Sequence, residues 1–90
     1  MNTEQIIQSW HEPALHTLGS LLSVRKANLR KINRDENNAM VLQQEFIESL
    51  MNYHRISLWQ ASEIAASLVR AGRVARYGRF LQIKEGATHE

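Results

Sequence analysis

Arg73, Arg76 and Arg79 recur every third residue around Gly78. A guanidinium is planar and donates parallel hydrogen bonds, so it suits phosphate and carboxylate oxygens. With Arg70, Tyr77 and Lys84 these residues form an anion-binding set, in a stretch from 70 to 84 that holds no acid. Arg25, Lys26, Arg30, Lys31 and Arg34 form a second basic block without an acid inside it. Between the two lie Asp35, Glu36, Glu45, Glu48 and Glu63, relieved only by Arg55. The formal net charge is +2, so the layout matters more than the sum. Segregated charge points to a polyanion or an acidic protein surface as partner. The plainer alternative is two solvated faces.

Other chemistry is thin. Glu12 and His16 stand four apart and could share a metal, but two ligands do not close a zinc site. His11, His54 and His89 have no partner visible in the sequence. Glu45 and Glu48 sit one helical turn apart, with nothing else of a carboxylate reaction centre. No nucleophile elbow, phosphate-cradling glycine loop or HExxH pattern occurs. The expectation is a non-enzymatic chain with no metal and no cofactor. Cysteine is absent, which excludes disulfides and thiolate metal sites and fits a reducing cytoplasm. The start of the chain is polar and acidic, unlike a secretory leader. No apolar run approaches the ~18 residues needed to span a bilayer.

Elements that must position these groups follow from periodicity. With 90 residues and 43% hydrophobic content, one small domain with one modest core is expected over 1–90. A short helix over 3–10 precedes a longer one over 13–33, where Leu15, Leu18, Leu22, Leu29 and Ile32 form a stripe interrupted by Arg25. That stripe packs internally or forms a symmetric homodimer. Asp35 is placed to cap a third helix carrying Met40, Val41, Phe46, Ile47, Leu50, Met51 and Tyr53, ending near His54 and Arg55. Ser57 and Gln60 make a capping box for a fourth helix. Its inward face is Ala61, Ile64, Ala65 and Leu68, and Gly72 stands where a left-handed cap ends it. The period then changes to two. Val74 is set to pair with Leu81 across a tight turn at Tyr77-Gly78, with Ile83 on the same face. This divides the chain into N-terminal helices over 1–34, a helix–helix–hairpin unit over 35–84 and a frayed tail over 85–90. The fold class is mainly α with a small β-hairpin.

The outward face of the fourth helix is predicted to hold Trp59, Glu63, Ala66, Ser67 and Arg70. Gln60, Ser67 and Arg70 are side chains that can read base edges. Glu63 repels phosphate, although it can accept from cytosine. Trp59, with Glu63, marks a protein interface if it points outward. The scarcity of large apolar groups in so small a domain instead places Trp59 in the core, against the first or third helix.

The run from Ala65 to Val74, followed by Gly78-Arg79-Phe80-Leu81, resembles the ending of winged helix-turn-helix regulators. The resemblance covers Phe46 to Ile83, under half the chain. It implies a winged-helix fold of about four helices and a two-stranded wing. It also implies double-stranded DNA as the partner and transcription regulation of bacterial or phage type. The chain departs from that pattern between Tyr53 and Ser57, where there is hardly room for the extra helix that precedes the recognition helix. The third helix would then have to serve as the positioning helix. The same stretch is similar to DEP domains, which share the winged fold and imply protein or acidic-membrane partners. Two functions follow as expectations. One is a DNA-binding regulator with Arg73, Arg76 and Arg79 on phosphate and Gln60, Ser67 and Arg70 facing the groove. The other is a protein-interaction module, an adaptor or inhibitor, using Trp59 and the basic wing. A membrane-surface or RNA binder ranks behind both.

Overall fold

The computed structural model describes residues 3–84, so the expected tail at 85–90 lies outside the described residues. The elements run α1 (Thr3–Ser9), α2 (His11–Lys31), β1 (Val41–Leu42), α3 (Gln43–His54), α4 (Leu58–Arg70), β2 (Val74–Tyr77) and β3 (Phe80–Ile83). The chain is mainly helical with a small antiparallel sheet, a winged-helix-like arrangement.

Helix ends follow local backbone chemistry. Ser57 accepts from the Gln60 backbone N–H, and the Gln60 side chain accepts from the Ser57 N–H, completing the capping box of α4. At the other end Gly72 takes φ +75°. Its N–H donates to the Val69 carbonyl, and that of Arg73 to the Leu68 carbonyl, the two bonds of a Schellman motif. Asn33 does the same for α2 at φ 59°, with Arg34 N–H donating to Leu29. Arg55 ends α3 at φ 54°, a left-handed conformation that strains any residue carrying a Cβ. Pro13 lies in the first turn of α2, where its missing N–H has no intrahelical partner to lose.

The segment after Asn33 departs from expectation. Asp35 caps a single 3-10 turn, Glu36–Asn38, by accepting from the Asn37 N–H at 2.9 Å, and not the third helix. Val41 and Leu42 then pair with Leu81 and Phe80, so the expected two-stranded wing is a three-stranded sheet in the order β1-β3-β2. Val41 and Leu81 are both fully buried, which rewards a strand at Val41 over helix continuation. The Gln82 side-chain amide holds the approach by donating to the carbonyls of Asn37 and Ala39. Helix α3 therefore starts at Gln43, whose N–H donates to the Arg79 carbonyl at 2.7 Å. A wing carbonyl thus satisfies the helix terminus that no side chain caps.

The hairpin turn is Gly78-Arg79, one residue beyond the expected position, and Val74 pairs with Ile83 while Arg76 pairs with Leu81. Moving the turn by one residue shifts the pairing by two, which keeps every side chain on its expected face. Gly78 takes φ +64° and Arg79 does not turn positive, the pattern of a type II′ turn with glycine first.

One core joins all layers: Ala14, Leu18 and Leu22 of α2, Phe46 and Leu50 of α3, Ala61, Ile64 and Leu68 of α4, and Val41, Val74 and Leu81 of the sheet. The α2 stripe is thus consumed inside the chain, except Ile32, which is exposed. Arg25, the break in that stripe, forms an ion pair with Glu45 of α3.

The two left-handed residues make opposite predictions. Gly72→Ala meets no atom within 4 Å, so its cost is backbone strain alone, about 1 kcal/mol. Arg55→Gly relieves such strain and gains roughly 0.5 kcal/mol after the added chain entropy of glycine. Urea denaturation of the two variants should give shifts of opposite sign; shifts of the same sign contradict this account.

Candidate binding surface

The joint between α3 and α4 is only Arg55-Ile56-Ser57, as short as the turn of a helix-turn-helix. The capping box makes the first turn of α4 rigid, and that turn carries Leu58 and Trp59, which are 61% and 57% exposed. Trp59 is therefore not core, against the expectation drawn from the scarcity of large apolar groups. Phe46, Leu18, Leu50, Ile64, Leu68 and Leu81 fill the interior without it.

Ser67 is the clearest correction among the base-reading candidates. It is 8% exposed, and its hydroxyl lies 2.8 Å from His11 Nε2. Helix α4 has more than one covered side: α1 also packs on it, and the start of α2 reaches the side bearing Ser67 through His11. A helical-wheel argument with a single inward stripe cannot see this second cover. Gln60 is half-buried and spends its carbonyl oxygen on the cap. Arg70 is exposed at the helix end, and Glu63 is half-buried.

The wing arginines do not converge on one face. Arg73, at the base of the hairpin, pairs with Glu12 of α2 at 2.9 Å. Arg76 and Arg79 stand at the tip. There they border a groove of about 690 Å³ whose apolar lining is Leu42, Ile47, Met51 and Leu58. Arg76 Nε donates to the Gly78 carbonyl at 3.0 Å, which orients its guanidinium. Tyr77 is exposed; Tyr77, Phe80 and Leu42 pair in register across all three strands, so they share the sheet face opposite Leu81. Lys84 is exposed near Arg73.

The secondary basic block is likewise divided. Arg25 is held by Glu45 and Arg30 by Glu36 at 2.6 Å, while Lys26 is half-buried and Lys31 and Arg34 are exposed. Among the described residues Lys26, Lys31, Arg34, Arg70, Arg76, Arg79 and Lys84 form no ion pair.

His11 and His54 act as clasps. Thr17 Oγ1 donates to the Pro13 carbonyl and, its proton spent there, accepts from His54 Nε2 at 3.0 Å. The His54 ring also meets Trp10 edge-on at 5.2 Å between centroids. His11 is held below the ordinary imidazole pKa by burial, then by the Arg73 charge, against an upward pull from Glu12. No group of three or more metal-ligating side chains is assembled among the described residues. No described helix is long and apolar enough to cross a membrane. Sequence reasoning missed the groove lining, in which Leu42 and Leu58 are exposed and Ile47 and Met51 are half-buried against the core. No local signal marked them, because their exposure depends on which distant elements cover α3 and α4.

No known protein family, curated protein or solved structure matches the chain.

Two measurements check this surface. Trp59→Ala should change unfolding free energy by no more than about 0.5 kcal/mol, as for other exposed positions; a larger loss would place the indole in the core. For His11 the depressed pKa means that the folded state binds fewer protons than the unfolded state. Its contribution is therefore fully present above the ordinary pKa of ~6.5 and is lost as pH falls toward the folded value. Urea midpoints measured from pH 7.5 downward should fall for the native chain and fall less steeply for His11→Gln.

Proposed function

We propose that this chain is a non-catalytic docking module of winged-helix type that holds a partner protein against the start of α4 and the tip of the wing. The observation that carries this reading is the pair Leu58 and Trp59, more than half exposed on a rigid capped turn beside an apolar groove. Large apolar side chains on a stiff element cost little entropy to immobilise, and rimmed by charge they are the usual anchors of protein interfaces.

Double-stranded DNA is the second reading. It is favoured by Arg70, Arg79 and Lys84, all exposed and without ion pairs. It is weakened by what α4 offers a groove. Ser67 is covered, Gln60 is engaged in the cap, and Trp59 stands exposed in the first turn. Phosphate contact remains open to the arginines, whereas base reading by α4 is left to Arg70 and the side-chain amide N–H of Gln60.

A photo-crosslinking side chain placed at position 59 separates the two. In extract from cells that make the protein, it should give a discrete protein adduct that Leu58→Ser abolishes. The same probe at Ser23, on the exposed side of α2, should give none. Identical patterns from both positions defeat the docking reading. Adducts to nucleic acid instead, with binding to random duplex that weakens steeply with salt, favour DNA.

A further inference from the structure

We infer that the groove between α3, the start of α4 and the wing tip takes an acidic, apolar-studded peptide segment of the partner protein; this rests on the docking reading above. Its lining comes from Leu42 at the end of β1, Ile47 and Met51 of α3 and Leu58 of α4, with Arg76 and Arg79 along the wing lip. The volume of about 690 Å³ is in the range of ~300–1,000 Å³ typical of pockets that admit ligands.

Charge decides the occupant. Arg76 uses one N–H on the Gly78 carbonyl and keeps the rest of its guanidinium for an incoming acceptor. That internal bond sets the guanidinium's orientation before a partner arrives, which lowers the entropy cost of binding. Arg79 has no ion-pair partner, and its carbonyl is tied to Gln43 N–H, so its backbone is held against α3. On the opposite wall Glu48 already accepts from Gln44 Nε2. The groove is therefore cationic along the wing and anionic along α3. A segment with carboxylates on its wing side and apolar side chains toward the floor matches the wing arginines and the apolar lining, and keeps its charge away from Glu48. Met51 adds a flexible thioether that adapts to different apolar side chains. A phosphodiester backbone satisfies the arginines but leaves the apolar floor wet, which disfavours nucleic acid at this position.

The test is selection from a random twelve-residue peptide display library on the full chain, followed by fluorescence anisotropy on the best synthetic peptide. Selected peptides should combine Leu, Ile or Phe with an excess of Asp and Glu. The double variant Arg76→Glu, Arg79→Glu should weaken the best peptide by ~5–10-fold, the yield of two exposed charge contacts reversed. Leu58→Ser should weaken it as well. These side chains are solvent-facing, so unchanged circular dichroism will accompany the losses. Absence of an acidic excess, affinity within about twofold after charge reversal, or displacement of the peptide by random duplex DNA at physiological salt each overturns the inference. If the crosslink at position 59 forms while the peptides lack acidic bias, docking stands and the groove chemistry falls. If neither appears, both fall.

Discussion

Helix α4 is the constraint on which the rest of the molecule depends, because it is covered from more than one side. Ala61, Ile64 and Leu68 are wholly buried, Ala65 nearly so, and Ser67 with them. The small residues let α1, α2 and α3 approach the helix axis closely, while Ile64 and Leu68 reach into the shared core. Full burial of each such aliphatic side chain stabilises by about 1.5–3 kcal/mol, well above the ~0–1 kcal/mol of an exposed ion pair. Packing around α4 therefore sets the geometry, and the charges arrange themselves on what it leaves free. What it leaves free is the first turn, with Leu58 and Trp59, and the last, with Arg70.

The exit from α4 carries the constraint into the sheet. Gly72 reverses the chain in a conformation that a Cβ would strain, and Val74 enters the core two residues later. Leu81 pairs with Val41 on one side and Arg76 on the other, so the central strand ties the hairpin to the segment before α3. The Arg79 carbonyl then serves the N-terminus of α3. Wing and helix are thus joined by backbone as well as by side chains. The groove they border is built from β1, α3, α4 and β2 and the tight turn at Gly78-Arg79, which suits a binding surface better than a long mobile loop would.

Charge behaves differently in space than along the chain. Arg25, Arg30 and Arg73 each reach an acid from another part of the sequence, joining α2 to α3, α2 to the turn after it, and the hairpin to α2. These contacts are exposed or half-exposed, so they orient more than they stabilise. His11 and His54 close the remaining seams, with Ser67 and Thr17 as partners. All buried side-chain nitrogen and oxygen atoms among the described residues are hydrogen-bonded.

Local backbone rules made much of this fold legible in the sequence: the Ser57–Gln60 capping box, the Gly72 stop, the hairpin around Gly78 and the inward stripe of α4 depend on neighbours a few residues apart. The β1 strand did not announce itself, because two residues have no period and their reward comes from Leu81, forty positions away. The same limit applied to the site. Arginine identity marked the wing as a place for anions, yet only the folded chain separated Arg73, which meets Glu12, from Arg76 and Arg79, which border the groove. Only it could bury Ser67 and expose Trp59, since a side chain's surroundings depend on which distant elements cover its helix. Short-range hydrogen bonding and residue conformation belong to the sequence itself; burial and ion pairing between remote segments are decided by packing.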